Sequence, residues 1–235
     1  MPHLRMIPKA AAMRAELSHI RNWIFDLDNT LYPASANLFP LIDARIGAYV
    51  SRLLGVDAVE ARRIQKHYFH AHGTTLAGLI AEHDVDPRHY LDDVHDVDLG
   101  LLTPNEALVE ALARLPGRKL VFTNGDAPYA VRVLDRLGLS ESFEAIHDIH
   151  STDYRPKPDP LAYRGLCDAY GLLPGESLFV EDMARNLAPA KAIGMTTVWV
   201  DNGSEQPPED SDRSFIDYTV ADLGPWLREI LDDMA

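Results

Sequence analysis

Two aspartates stand two residues apart in Phe25-Asp26-Leu27-Asp28-Asn29-Thr30, directly after the apolar run Asn22-Trp23-Ile24-Phe25. At that spacing both carboxylates leave a strand end on the same side and repel each other unless a cation lies between them. A carboxylate can attack phosphorus and form an acyl phosphate. A second one nearby can protonate the leaving group and later deprotonate water. Three further polar clusters sit beyond apolar runs: Thr123-Asn124-Gly125-Asp126, Arg155-Pro156-Lys157-Pro158 and Glu181-Asp182. Thr123 offers a hydroxyl, and the Asn124-Gly125 turn can present backbone N–H donors, which are parts of a phosphate site. Asp182, with Glu181 as a further candidate, completes an oxygen-rich shell around the Asp26–Asp28 pair. Hard oxygen ligands of this kind favour Mg²⁺. Lys157 adds a positive spot beside it.

The elements that must position these residues are read from the apolar runs. Residues 22–25, 119–122, 145–146, 178–180 and 196–200 are short and rich in Val, Ile or Phe, as expected of parallel strands buried on both faces. Helical patterns lie between them. Pro104 opens one, with Thr103 as its N-cap and Gly117 after its end; others run over 127–138, 159–171 and 184–194. This alternation predicts an α/β fold, a doubly wound parallel sheet with a Rossmann-like core. In such folds ligands bind beyond the carboxyl ends of the strands, which is where the four clusters fall. One stretch breaks the alternation. Residues 34–97 contain no convincing strand and read as an inserted helical cap domain, leaving 19–33 and 98–235 as the core catalytic domain. Residues 201–214 read as an acidic surface loop, and the first 18 or so as a loosely attached leader.

Composition narrows the partners. The 235 residues carry 22 basic and 36 acidic side chains, a net charge of −14. That balance argues against a nucleic-acid polymer, which needs a basic face, and against an anionic membrane surface. A small anionic substrate is still admissible if local positive charge receives it. No apolar run is long enough to span a membrane or to serve as a signal peptide. The single Cys167 allows no intrachain disulfide and reads as a small buried hydrophobe, which points to a reducing, cytoplasmic location. Oligomeric state is not legible.

The four clusters, in this order, resemble the four motifs of the haloacid dehalogenase superfamily of phosphohydrolases. Phe25 to Leu31 looks like the first, Phe122-Thr123-Asn124-Gly125 the second, Arg155-Pro156-Lys157-Pro158 the third and Phe179-Val180-Glu181-Asp182 the fourth. Within the superfamily the chain is most similar to the pyrimidine 5′-nucleotidase branch. That likeness is carried by Leu31-Tyr32-Pro33, Leu38-Phe39-Pro40, the cap string from His72 to Leu79, and Glu181 to Leu187. The resemblance implies a Mg²⁺-dependent phosphomonoester hydrolase acting on UMP or CMP. By the same resemblance Asp26 is the nucleophile, and Asp28 is the acid and base, with its backbone carbonyl on the metal. Thr123 and the Asn124 amide hold phosphoryl oxygens, Lys157 offsets their charge, Asp182 binds Mg²⁺ with Glu181 as the second candidate, since the acid that touches the metal varies between branches, and Asn186 braces the loop. Other small phosphate esters, such as sugar phosphates or phosphoglycolate, are the alternative substrates. A phosphotransferase or phosphomutase shares the motifs. A carbon–halogen hydrolase needs neither Asp28 nor Asp182, and a non-catalytic relative would be expected to lack a motif residue.

The cap should set specificity. His67, His70, His72, His83, His89 and His95 all fall in it. The first three sit at i, i+3 and i+5, which do not share one helix face, so they read as a solvated or partly packed surface. His72 adjoins Gly73-Thr74-Thr75, a candidate substrate loop, and is taken with Tyr32 as a candidate substrate contact. Tyr32 can equally pack beneath the cap. Tyr68 and Phe69 read as cap core.

Overall fold

A computed structural model describes residues 16–204 and 211–232. The expected leader lies almost wholly outside the described residues, as do 205–210 of the expected acidic loop.

Six strands are described: β1 (Asn22–Phe25), β2 (Arg118–Phe122), β3 (Ala145–His147), β4 (Ser177–Glu181), β5 (Thr196–Val200) and β6 (Tyr218–Val220). Their order is β3-β2-β1-β4-β5-β6, and every neighbouring pair is parallel. Side chains alternate across the sheet because strand residues point to opposite faces in turn. Trp23 and Phe25 enter one apolar cluster with Val121, Val180 and Val198, while Ile24 enters the opposite one with Phe122, Phe179 and Trp199. Burial on both faces explains why the strands read as unbroken apolar runs. A side chain such as Phe25 or Ile24, with no exposed surface, contributes about 1.5–3 kcal/mol through burial.

Four of the helices between β1 and β2 fill residues 39–94: α1 (Phe39–Leu54), α2 (Ala58–His72), α3 (Thr75–His83) and α4 (Pro87–Val94). Asp57, Thr74 and Asp86 cap α2, α3 and α4 by accepting from backbone N–H groups in their first turns. These helices share an apolar cluster of their own built on Tyr49, Tyr68, Leu79 and Tyr90. Tyr68 lies so close over Gly78 that an added Cβ would stand 2.4 Å from its ring, which welds α2 to α3.

The remaining helices are α5 (Glu106–Arg114), α6 (Ala127–Leu137), α7 (Pro160–Tyr170), α8 (Leu187–Ala192) and α9 (Leu223–Asp232). Three sequence expectations need correction. The cap of α5 is Asn105, whose side chain accepts from Leu108 N, and not Thr103; the helix begins only at Glu106, which leaves Thr103 too far upstream to reach its free N–H groups. Gly117 does not end that helix. It enters β2 with φ of +94°, and a Cβ there would meet the Arg21 carbonyl at 2.5 Å, so glycine permits the close approach to β1. The expected 184–194 helix begins as a 3₁₀ turn, Ala184–Asn186, before the short α8. Strand β6 and α9 follow the acidic loop and were not expected. Among the described residues no helix is long and apolar enough to cross a membrane.

Candidate active site

Strand order reverses around β1, because β2 and β4 flank it on either side. The backbone of Asp26 continues the ladder by donating to Val180 O at 2.9 Å. Asp26 beyond β1, Thr123 beyond β2 and Glu181-Asp182 at the end of β4 therefore meet at one crevice, the usual ligand position in doubly wound sheets.

Lys157 is the centre of that crevice. Its ammonium is 1% exposed and donates to Asp26 Oδ1 at 2.6 Å, Glu181 Oε2 at 2.7 Å and the Phe122 carbonyl at 2.8 Å. Burial pulls the ammonium down, but Asp26 and Glu181 outweigh that and hold it above the ordinary lysine range. Asn124 fixes the lysine loop from both sides: its Oδ1 accepts from Lys157 N at 2.8 Å, and its Nδ2 donates to Lys157 O at 3.2 Å. The Asn124 side chain is thus a brace for Lys157, a role the sequence did not reveal. Thr123 Oγ1 accepts from Gly125 N at 3.0 Å, which shapes the turn.

Asp26 is held through both oxygens, since Thr30 Oγ1 donates to Oδ2 at 2.9 Å. Asp26, Glu181 and Asp182 are all buried, and one oxygen from each lies within 4.8 Å of the others. Burial first, then Glu181, pushes the Asp26 carboxyl up to about 7 against the pull of Lys157. Burial pushes Glu181 up to about 7, with Lys157 opposing and Asp182 adding to the rise. Burial, followed by the charge of Asp26, pushes Asp182 up to about 7 as well. Three desolvated carboxylates facing one ammonium lack a positive charge, and their hard oxygens suit a divalent cation.

The sign of this effect gives a test. Carboxyl groups with raised values add stability below their ordinary range near 4 and lose it as pH rises through about 7. A bound cation takes the place of those protons, so Mg²⁺ is expected to raise the melting temperature more at about pH 8 than at about pH 5.5. Melts with and without Mg²⁺ at the two pH values check this; equal shifts would contradict it.

Asp28 stands apart from the buried acidic group. Its Oδ1 accepts from the hydroxyls of Tyr32 and Tyr129, each at 2.6 Å. This corrects the expectation for Tyr32, which is 3% exposed, packs in the core and does not line the cavity. It reaches Asp28 instead of a substrate. His72 also turns elsewhere, facing Glu82 at 3.4 Å and Tyr68 edge-on, outside the cavity wall. His95, counted among the cap histidines and given no role of its own, is buried and does line the cavity. Asn186 is buried on the cavity wall with no partner for Oδ1, while its carbonyl accepts from Tyr163. Cys167 lies buried in α7, and burial raises its thiol above the ordinary range, as suits an inert core residue.

The cavity above these groups measures about 400 Å³. Helices α1 and α2 supply an apolar side from Phe39, Ile42 and Phe69, together with the cation Lys66. The core returns Arg185, whose guanidinium lies 4.1 Å from the centre of the Phe69 ring and donates to Gly73 O at 3.2 Å. Phe69, expected in the cap core, is only half-buried, stands outside the apolar cluster of these helices and lines the cavity, because its ring faces Arg185.

Residues 20–194 match the haloacid dehalogenase-like hydrolase family. Phosphate metabolism protein 8 of Saccharomyces cerevisiae is 29% identical over 189 residues, which are 74% of this chain and 59% of the yeast protein. The chain thus spans less than two thirds of that relative's length. A phosphoglycolate phosphatase of Mesorhizobium japonicum is 32% identical over 192 residues, 77% of this chain and 82% of that one. A solved HAD phosphatase from Thermococcus onnurineus superposes with a TM-score of 0.58 at 20% identity, covering 92% of this chain and 98% of that one, a likeness of fold. With the family match running from the start of β1 to the end of α8, the chain belongs to the haloacid dehalogenase-like hydrolases.

Proposed function

We propose that the protein is a Mg²⁺-dependent phosphomonoester hydrolase working through a phospho-aspartyl intermediate on Asp26. The observation that carries this is the convergence on Asp26: Lys157 and Thr30 on its two oxygens, a buried acidic group beside it, and a second carboxylate, Asp28, held on the cavity wall. In the first step an Asp26 oxygen bonds to phosphorus, the ester P–O bond breaks, and Asp28 gives its proton to the departing oxygen. In the second, Asp28 takes a proton from water, the water oxygen bonds to phosphorus, and the bond to Asp26 breaks, releasing inorganic phosphate. Lys157 stays on Asp26 throughout and offsets the phosphoryl charge with the hydroxyl of Thr123 and the Asn124 amide. When bound by Asp182, Asp26 and the Asp28 carbonyl, with Glu181 in reach, Mg²⁺ supplies the positive charge that keeps these carboxylates ionised.

The substrate is a small organic phosphate ester, of the size that a cavity of about 400 Å³ admits beneath a cap. Relatedness to a phosphoglycolate phosphatase supports a short acidic ester, and Lys66 and Arg185 on the wall are suited to an anionic leaving group. A pyrimidine nucleoside monophosphate, UMP or CMP, is the second reading, favoured by Phe39 and Phe69 as faces on which a base can stack. Phosphate release with Mg²⁺ from phosphoglycolate, a sugar phosphate, UMP and CMP decides between them by kcat/KM. Release from none of the four would overturn the proposal, and transfer of phosphate to an added alcohol in preference to water would reassign the protein as a phosphotransferase.

A further inference from the structure

Asp28 sits on a turn, and a carboxylate there swings about two side-chain bonds unless something holds it. Both hydrogen bonds it receives fall on one oxygen, Oδ1, from Tyr32 and Tyr129. Among the described residues Oδ2 accepts none, which leaves it free for a reacting proton. Tyr129 belongs to the first turn of α6 and is 1% exposed. Its ring lies flat against the ring of His95, with centroids 4.2 Å apart and planes 14° from parallel. His95 is itself pinned: Nδ1 lies 2.7 Å from Asp126 Oδ1, and its carbonyl accepts from Arg132 at 2.6 Å. It is the residue that closes α4, where the cap chain turns back toward the core.

We propose that Tyr129, with Tyr32, is a positioning residue that fixes the orientation of Asp28, and that His95 acts through Tyr129 by clamping its ring. The proposal rests on the acid and base role given to Asp28 above. A phenol O–H lies near its ring plane, so a ring that cannot tilt aims its proton at one place. Asp126 and Arg132 hold His95, His95 holds the Tyr129 ring, and Tyr129 holds Asp28 Oδ1. The burial of Tyr129 among apolar residues would suit phenylalanine equally well; the hydroxyl serves Asp28 and the Tyr32 hydroxyl beside it, the two groups that meet at Oδ1. The series also joins the last turn of the cap to the reacting carboxylate, so the placement of the cap and of the acid are set together.

The test compares wild type with Tyr129→Phe, Tyr32→Phe, the double variant, His95→Ala and His95→Phe. The substrates are an alkyl phosphate, whose alkoxide needs a proton, and 4-nitrophenyl phosphate, whose leaving group does not. The double variant is expected to lose about 10²-fold in kcat on the alkyl ester with KM little changed, since misplacing a general acid costs on that order. Because the water step is shared, 4-nitrophenyl phosphate should show a burst of nitrophenolate followed by a slowed steady rate. His95→Ala is expected to lose about tenfold and His95→Phe, which keeps the stacked ring, to recover most of it. Wild-type kcat in the double variant, or a rise in KM with kcat intact, would overturn the proposal. Tyr129→Phe removes one oxygen atom and keeps the test valid if His95→Ala does not fold. The outcome is separable from the function itself. Absence of wild-type turnover sinks the hydrolase reading, whereas turnover that needs Asp28 and ignores both tyrosines sinks only this inference.

Discussion

Replacing Asp26 by Asn is expected to eliminate turnover, with kcat falling by roughly 10⁴-fold or more, as for removal of a covalent nucleophile elsewhere. The carboxamide is uncharged and presents no carboxylate oxygen to phosphorus. Its shape is nearly unchanged, so Thr30 and Lys157 keep a neighbour at both ends of the side chain. Lys157 also keeps its bonds to Glu181 and the Phe122 carbonyl. Burial is the largest cause of the raised Asp26 value, and Glu181 adds to it, so removing this charge relieves a cost in the metal-free protein above neutral pH. The variant should therefore melt no lower than wild type at about pH 8 in the absence of metal. Phosphate release and a melt on the same sample check both halves. A dead enzyme with an intact fold is expected; wild-type release would remove Asp26 from the reaction.

Asp28→Asn is expected to lose about 10²–10⁴-fold, the ordinary range for a general acid or base. Here the loss falls on two steps. The Asn side-chain oxygen can still accept from Tyr32 and Tyr129, so the side chain keeps its place and the defect reports proton transfer. An ester with a good leaving group bypasses the first of the two protons and not the second. With 4-nitrophenyl phosphate the variant should release about one nitrophenolate per enzyme in a burst and then stall as the phosphoenzyme. Rapid-mixing absorbance measures this directly. A steady rate equal to wild type would contradict the role given to Asp28.

The residues that later converged were legible for a particular reason. Asp26, Thr123, Glu181 and Asp182 directly end or follow runs buried on both faces of the sheet, and that pattern survives in sequence because a parallel strand tolerates few polar residues. Lys157 lies in a loop and was found through its family motif. The partners that orient these groups were harder to see. Tyr129 lies 101 residues from Asp28, and Asn124 lies 33 from Lys157, so their contacts exist only once strand order is fixed. Two contacts carry a local signal. Thr30 reaches Asp26 and Tyr32 reaches Asp28, each four residues along, the spacing at which one turn of chain brings side chains together. An aromatic ring near a motif suits a base as well as it suits a hydroxyl bond, so sequence alone does not separate the two roles of Tyr32. His95 was grouped with the other cap histidines, since nothing nearby in sequence shows that Asp126 and Tyr129 pack on it. Strand β6 spans three residues after an acidic loop, too short for alternation to register.

In the proposed reaction, phosphate passes through a covalent bond to Asp26. Its most direct measurement is mass spectrometry of the enzyme mixed with Mg²⁺ and 4-nitrophenyl phosphate, quenched in acid within the first turnovers and digested. Asp28→Asn, which should stall after the first step, is the form to use beside wild type. One added phosphoryl group is expected on the peptide bearing Asp26, converted by borohydride to the reduced side chain that marks an acyl phosphate. An unmodified Asp26 peptide in samples that are releasing phosphate, or a phosphoryl group on any other residue, would contradict it.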